Sequence, residues 1–203
     1  MDTYKTLKSS VESPVYKVKG SKFISYAYPV QSREEVDLIL KDLRVEHSKA
    51  NHCCYAWRLG KEQVEYRYND DGEPANSAGK PIYGQILSFE LTDVLIAVIR
   101  YFGGTKLGVG GLIQAYRESA RLGLEQASIL RKEIKLPFAL EFEYPQMDKV
   151  MRLIKEKQIE IVGQEMEMKV RLGLLVSKKN EASFRESLAQ LHEVKLHEPN
   201  GPK

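Results

Sequence analysis

Three stretches of the sequence carry residue types that do chemistry. The first is His52-Cys53-Cys54-Tyr55-Ala56. The second is an acidic turn, Asp70-Asp71-Gly72-Glu73-Pro74, followed by Ala78-Gly79-Lys80-Pro81. The third is a glycine loop, Gly103-Gly104-Thr105-Lys106-Leu107-Gly108-Val109-Gly110-Gly111. A glycine loop that opens a helix can hold an anion on backbone N–H groups. Here Lys106 stands among glycines, with Arg100 before the loop and Arg117 one to two turns into the helix. Phosphate of RNA or of a nucleotide is the natural partner of such a cluster. The candidate anion-binding set is Arg100, Gly103, Gly104, Lys106, Gly108, Gly110, Gly111 and Arg117. The loop is not a P-loop, because no Gly-Lys-[Ser/Thr] opens the helix in the required frame. It is not the dinucleotide fingerprint either, because GVGGLI from Gly108 has no glycine at its sixth position. The same glycines also serve positive φ angles and close backbone approach without any ligand.

The other two stretches give a weaker chemical signal. The acidic turn holds three carboxylates within four residues, oxygens that suit a hard cation, but it lacks the spaced ligands of a calcium loop. Asp71-Gly72 is also the pair that a type I′ turn prefers. His52 and Cys54 share one face of a strand but offer only two ligands, too few for zinc. His52 and Cys53 point to opposite faces and cannot form a hydrogen-bonded dyad. No catalytic set, metal site or cofactor is read. The residues of a possible cleft are His52, Asp70, Asp71, Glu73 and Lys80.

The elements around these residues follow from periodicity. Residues up to about 12 are polar and expected to be loose. Val15–Val18 and Phe23–Val30 read as strands joined at Gly20, with Lys17, Lys19 and Lys22 at a solvated hairpin end. Ser32 and Glu35 form a capping box, and Val36, Ile39, Leu40 and Leu43 predict a helix over about 33–49. His52–Leu59 and Val64–Tyr68 read as strands, the second with Val64, Tyr66 and Tyr68 on a buried face. Pro81 opens a short helix from Ile82 to about Glu90. Val94–Phe102 is apolar almost throughout, which predicts a central strand covered on both faces. The helix after the loop is expected from near Gly111, with Leu112, Ala115, Tyr116, Ser119, Ala120 and Gly123 inward. Arg131–Lys135 reads as a charged hinge, which places the domains at 1–133 and 134–203.

Beyond the hinge, Leu136, Phe138, Leu140, Phe142 and Tyr144 alternate as a strand. Met147, Val150, Met151 and Ile154 predict a helix, Ile159–Glu165 a strand, and Met168 to Val176 another. Phe184, Leu188 and Leu191 mark a helix, and Val194–His197 a last strand. The order β-α-β-β-α-β is that of a ferredoxin-like sandwich. Residues 199–203 are expected to form a disordered tail. The expected fold class is α+β in two domains.

Bulk properties narrow the function classes. The chain has 203 residues and a net charge of +3. Residues 1–133 hold 19 Lys and Arg against 17 Asp and Glu, and the remainder 12 against 11. Neither half is a nucleic-acid magnet by composition, so such a site must be a local patch. Adjacent Cys53 and Cys54 do not suit a mutual disulfide, and two thiols without a framework fit a reducing compartment. The first twenty residues lack a hydrophobic signal core, and Val94–Ile99 is far too short to span a bilayer. A cytoplasmic protein without a membrane partner is expected.

Taken in order, the three stretches resemble the YigZ/IMPACT family. The likeness is carried by His52-x-Cys54-Tyr55-Ala56 and by Asp71-Gly72-Glu73-Pro74 with Ala78-Gly79-x-Pro81. It is carried above all by Arg100-Tyr101-Phe102-Gly103-Gly104-x-Lys106-Leu107-Gly108-x-Gly110-Gly111-Leu112 with Ala115-Tyr116. It spans most of residues 1–133. The resemblance implies an N-terminal domain like the second domain of ribosomal protein S5 and domain IV of elongation factor G. It also implies a C-terminal domain like that factor's domain V. Both of those relatives touch RNA on the ribosome. Eukaryotic IMPACT proteins regulate translation under stress by competing for the activator of an initiation-factor kinase, and they carry an additional N-terminal RWD domain. The residues before 15 leave no room for that domain, so that partner is not expected here.

Three functional readings follow. The first is a translation-linked binding protein that contacts RNA or the ribosome through the glycine-loop face. The second is a hydrolase using His52 and the acidic turn, which requires those side chains to converge with Arg100 and Lys106. The third is a protein-interaction scaffold, whose partner would be recovered stoichiometrically after nuclease treatment.

Overall fold

The computed structural model describes residues 2–198. They form a two-domain α+β protein, with Tyr4–Lys132 as one unit and the remaining described residues as the other. The expected tail at 199–203 lies outside the described residues. Among these residues no helix is long and apolar enough to cross a membrane.

In chain order the first part runs β1 (Thr3–Leu7), β2 (Val11–Glu12), β3 (Tyr16–Val18), β4 (Ser21–Pro29), α1 (Arg33–Glu46), β5 (His52–Leu59) and β6 (Glu65–Asn69). Then come α2 (Gly79–Ser88), β7 (Val94–Tyr101), α3 (Gly108–Gln126) and β8 (Ile129–Glu133). The main sheet has the order β2-β4-β7-β5-β6, with β3 also paired to β4. Its central strand is β7, and Val94 to Arg100 are all buried. The reason is that both edges of β7 are hydrogen-bonded and both faces are covered. Leu95, Ala97 and Ile99 meet Val36, Leu40 and Leu43 of α1. Val94, Ile96 and Val98 meet Ile82 and Ile86 of α2 and Leu112, Ala115, Tyr116 and Ala120 of α3. Each fully buried aliphatic side chain contributes about 1.5–3 kcal/mol.

Local signals set several boundaries. Ser32 Oγ accepts from the N–H of Glu35 at 3.2 Å, and Glu35 reaches back to the N–H of Gln31 at 2.8 Å. This is the predicted capping box, shifted by one residue on its return bond. The helix stops at Glu46, short of the predicted 49. At its end the His47 ring sits between the hydroxyls of Tyr101 and Tyr26, 2.8 and 2.9 Å away. At the other end of the unit α3 begins at Gly108 rather than Gly111, and its predicted inner face is the buried one.

Four expectations are corrected. Residues up to 12 are not loose: β1 pairs with β8, and Leu7 is buried. Arg131–Lys135, where the two units divide between Lys132 and Glu133, is not loop: Arg131–Glu133 belong to β8, Ile134 is buried and β9 starts at Lys135. Both errors come from pairing across more than a hundred residues, which local pattern does not show. Val64 and Tyr66 are exposed, because β6 is an edge strand; Tyr66 is covered on one side only, stacked on Tyr83 at 4.7 Å. The second helix starts at Gly79, before Pro81, because Asp70 caps it (below).

The second unit runs β9 (Lys135–Phe142), α4 (Met147–Glu156), β10 (Glu160–Met166), β11 (Val170–Ser177), α5 (Glu181–Ala189) and β12 (Val194–His197). Its antiparallel sheet has the order β10-β11-β9-β12, which is the ferredoxin-like arrangement. Phe138, Leu140 and Phe142 alternate inward as predicted and pack on Val150, Ile154, Phe184 and Leu188. Met168 is not a strand residue. It lies in the β10–β11 turn and is 95% exposed, while Leu153 takes the inward place predicted for Met151.

Candidate functional site

Register brings the first group together. In the β5–β7 ladder His52 is the partner of Arg100, and in the β4–β7 ladder Phe23 is. All three lie at the end of the sheet where the glycine loop begins. Alternation then sorts the cysteines: Cys54 packs with the α2/α3 core and Cys53 with the α1 core.

The acidic turn closes over this group. Asp71 and Gly72 have φ of 45° and 85°, and the N–H of Glu73 bonds to Asp70 C=O at 2.9 Å. Both signs are those of a type I′ turn, which Asp-Gly prefers. The three carboxylates have three different jobs. Asp70 accepts from the N–H groups of Ala78 (2.9 Å) and Gly79 (2.8 Å) with one oxygen and of Asn76 (2.8 Å) with the other. It therefore caps α2 from a distance in sequence. Asp71 accepts from the N–H of Cys53 at 2.6 Å and from Arg44 at 2.6 Å. Glu73 is the buried one. Its side chain is 4% exposed, it is ion-paired to Arg100, which is 6% exposed, and it accepts from the Tyr116 hydroxyl at 2.7 Å.

His52 completes the network. Its Nδ1 lies 2.7 Å from Asp71 C=O, an acceptor, so Nδ1 carries the proton. Its Nε2 faces Glu73 at 3.8 Å. Cys54 Sγ lies 3.0 Å from Asp70 C=O and 3.3 Å from Tyr116 Oη. Burial pushes the Cys54 thiol and the Tyr116 hydroxyl far up, and the Cys53 thiol up to about 11. Burial thus disfavours the reactive thiolate form of both.

Of the predicted cleft residues, the structure gathers His52 and Glu73, and it adds Arg100 from the predicted anion-binding set. It commits the carboxylates of Asp70 and Asp71 to backbone N–H groups and leaves Lys80 exposed on α2. Among the described residues no three His, Cys, Asp or Glu side chains form a metal-binding group. What the network does chemically is hold one buried carboxylate between a cation, a hydroxyl and an imidazole. Tyr116 was not singled out as a member, since its spacing marks it only as core.

Arg100 is accordingly not an exposed partner of Lys106. Its charge is matched by Glu73, and its guanidinium lies over the rings of Phe23 and Phe102, 5.5 and 5.6 Å from their centroids. Its Nε is buried and makes no hydrogen bond. Gly103, Gly104, Lys106, Gly108 and Gly110 are exposed around it, as is Arg117 one face further along α3.

The glycine loop gains neighbours that periodicity did not bring to it. Gly103 packs directly on the β3–β4 turn: a Cβ there would lie 1.9 Å from the carbonyl carbon of Gly20 and 2.2 Å from the Ser21 nitrogen. The Gly103 N–H also donates to Ser21 Oγ at 3.1 Å. The contact carries the hairpin lysines to the loop, and Lys22 is the register partner of Tyr101. Lys17, Lys19, Lys22 and Lys106 are all exposed, and none is ion-paired among the described residues. Not every glycine is packed in this way. A Cβ at Gly110 would meet nothing within 4 Å. Gly110→Ala is therefore expected to raise stability by about 0.5–1 kcal/mol, since it removes backbone entropy from the unfolded chain. Urea unfolding checks this, and a loss of stability would show that the backbone at Gly110 needs more than an ordinary helical conformation.

Known proteins place the chain. The Impact N-terminal domain model matches residues 19–124, and a domain of unknown function, DUF1949, matches 140–191. An IMPACT family member of Haemophilus influenzae is 33% identical over 85% of this chain and 85% of its own length. The IMPACT family member YigZ of Escherichia coli is 30% identical over 86% of this chain and 87% of its own. A solved structure described as a hypothetical protein covers all of both chains at 28% identity, with a TM-score of 0.75. The first match contains the whole network and the whole glycine loop, from Gly20 through Tyr116, and with the second it shows that the chain belongs to the IMPACT family.

Proposed function

We propose that this chain is a translation-linked regulatory binding protein that acts in the cytoplasm and contacts RNA or the ribosome through the glycine-loop face of its first unit. The resemblance supplies the link to translation. The observation that carries the contact is the packing of Gly103 on Gly20, which joins Lys19 and Lys22 of the hairpin to Lys106 of the loop. Among the described residues these are cations without counter-ions, on a chain of small net charge, as a local phosphate-binding patch requires. The N-terminus of α3 adds to it. Leu107 at its cap has no side chain that satisfies the first N–H groups, which remain available to phosphate oxygens.

The test is RNA binding measured against salt concentration. Binding is expected at low salt and is expected to fall linearly on a log–log plot. In the triple variant Lys19→Ala, Lys22→Ala and Lys106→Ala the slope should flatten by about 2, from roughly 0.7 per phosphate contact on single strands. The thermal midpoint should be unchanged, because all three lysines are exposed. No binding at low salt, or a variant with the parent's slope, overturns the reading. A nuclease-insensitive, stoichiometric protein partner recovered on the same face would favour a scaffold instead.

A further inference from the structure

We propose that Phe102 is a stacking platform for an unpaired base, which makes the ligand class of this face single-stranded RNA rather than duplex; this rests on the proposed RNA reading. Phe102 is the first residue beyond β7, and the residue is 46% exposed. Two contacts show that its position is built. Its backbone N–H donates to Asn51 Oδ1 at 2.8 Å. Its ring has the Arg100 guanidinium over it. That guanidinium is itself held by Glu73 from the acidic turn and by Phe23 from below. One face of the ring is therefore occupied by a fixed cation, and the exposure belongs to the rest of the ring. A ring that is already ordered loses little entropy when a second flat group stacks on it.

The surroundings suit a strand better than a helix of RNA. A Cβ added at Gly104 would meet nothing within 4 Å, so the loop is open at that position. Lys106 lies within the loop, and Lys22 stands on the neighbouring strand. Base on an aromatic face with phosphates on flanking lysines is the arrangement by which proteins hold single strands. Bases in a duplex are stacked on one another and give an aromatic side chain no face to use.

The experiment compares labelled single-stranded RNA of about 12 nucleotides, within the usual site size, with a duplex of the same length. Phe102→Ala is expected to weaken single-strand binding roughly 5- to 150-fold, the value of one stacked base, and to leave duplex binding and the salt slope unchanged. Phe102→Trp should retain binding and show fluorescence quenched by the single strand and not by the duplex; the native Trp57 is buried and gives a constant background. If Phe102→Ala binds the single strand as well as the parent does, or if the Phe102→Trp variant shows no quenching, the stacking role is overturned while the lysine-dependent RNA reading stands. If the parent binds neither RNA at low salt, the RNA reading itself fails. A far-ultraviolet spectrum and thermal melt of each variant identify a folding defect, and where Phe102→Ala misfolds the Phe102→Trp variant decides alone.

Discussion

Glu73→Gln is expected to cost about 3–5 kcal/mol of stability, because it leaves the Arg100 guanidinium charged and without its partner in the interior. Both side chains are well under a tenth exposed, so solvent does not screen the loss. The change is also felt beyond the pair. Glu73 joins the acidic turn to β7 through Arg100 and to α3 through Tyr116, and its loss loosens three elements at once. The double variant Glu73→Met with Arg100→Met should recover most of that loss, since replacing both charges with apolar groups of similar volume removes the desolvation penalty of each. Urea unfolding of the parent, of Glu73→Met and Arg100→Met singly, and of the double variant gives the coupling energy. A Glu73→Gln protein that unfolds with the parent would show that the two side chains are not paired in the interior. This cycle also separates structure from chemistry. If the network only holds the fold, the stable double variant keeps the parent's salt slope for RNA binding, which the lysines set.

Gly103→Ala is expected to be the more severe of two alanine substitutions in the same loop. At Gly103 the new methyl group would lie 1.9 Å from the backbone of Gly20, and neither partner is a flexible side chain that can yield. The hairpin or the loop must move, at a cost of about 3 kcal/mol. Since that contact holds the hairpin lysines beside Lys106, RNA binding is expected to fall as well, without the removal of a single charge. Gly104→Ala is the control. Its φ of 86° strains an alanine by about 1–2 kcal/mol, but nothing lies within 4 Å of the new atom, so the lysines stay where they are. Stability and RNA affinity measured on both variants check this. Equal loss of binding in the two would sink the claim that the Gly20–Gly103 contact assembles the patch.

The two substitutions mark how far the sequence could be read. The Asp71-Gly72 turn, the Ser32 cap, the inward face of α3 and the alternation of β9 were all legible, because each depends on residues within one or two turns of each other. The existence of β1, the fate of the charged segment at 131–135 and the exposure of Tyr66 were not. Each depends on which strand lies alongside, and that is a property of the whole chain.

The candidate site divides along the same line. Which family His52, the acidic turn and the glycine loop mark was determined by the sequence alone, through residue types at fixed short spacings. Which carboxylate is buried was decided only by the tertiary structure. Asp70, Asp71 and Glu73 are chemically alike and adjacent. They are told apart by the groups that meet them: the N-terminus of α2, the backbone of Cys53, and the guanidinium of Arg100. The same holds for Arg100, which sequence places with Lys106 and folding turns inward to Glu73 and over the rings of Phe23 and Phe102. A charge goes where its counter-ion and its desolvation cost allow, and both are set by partners that arrive from distant parts of the chain.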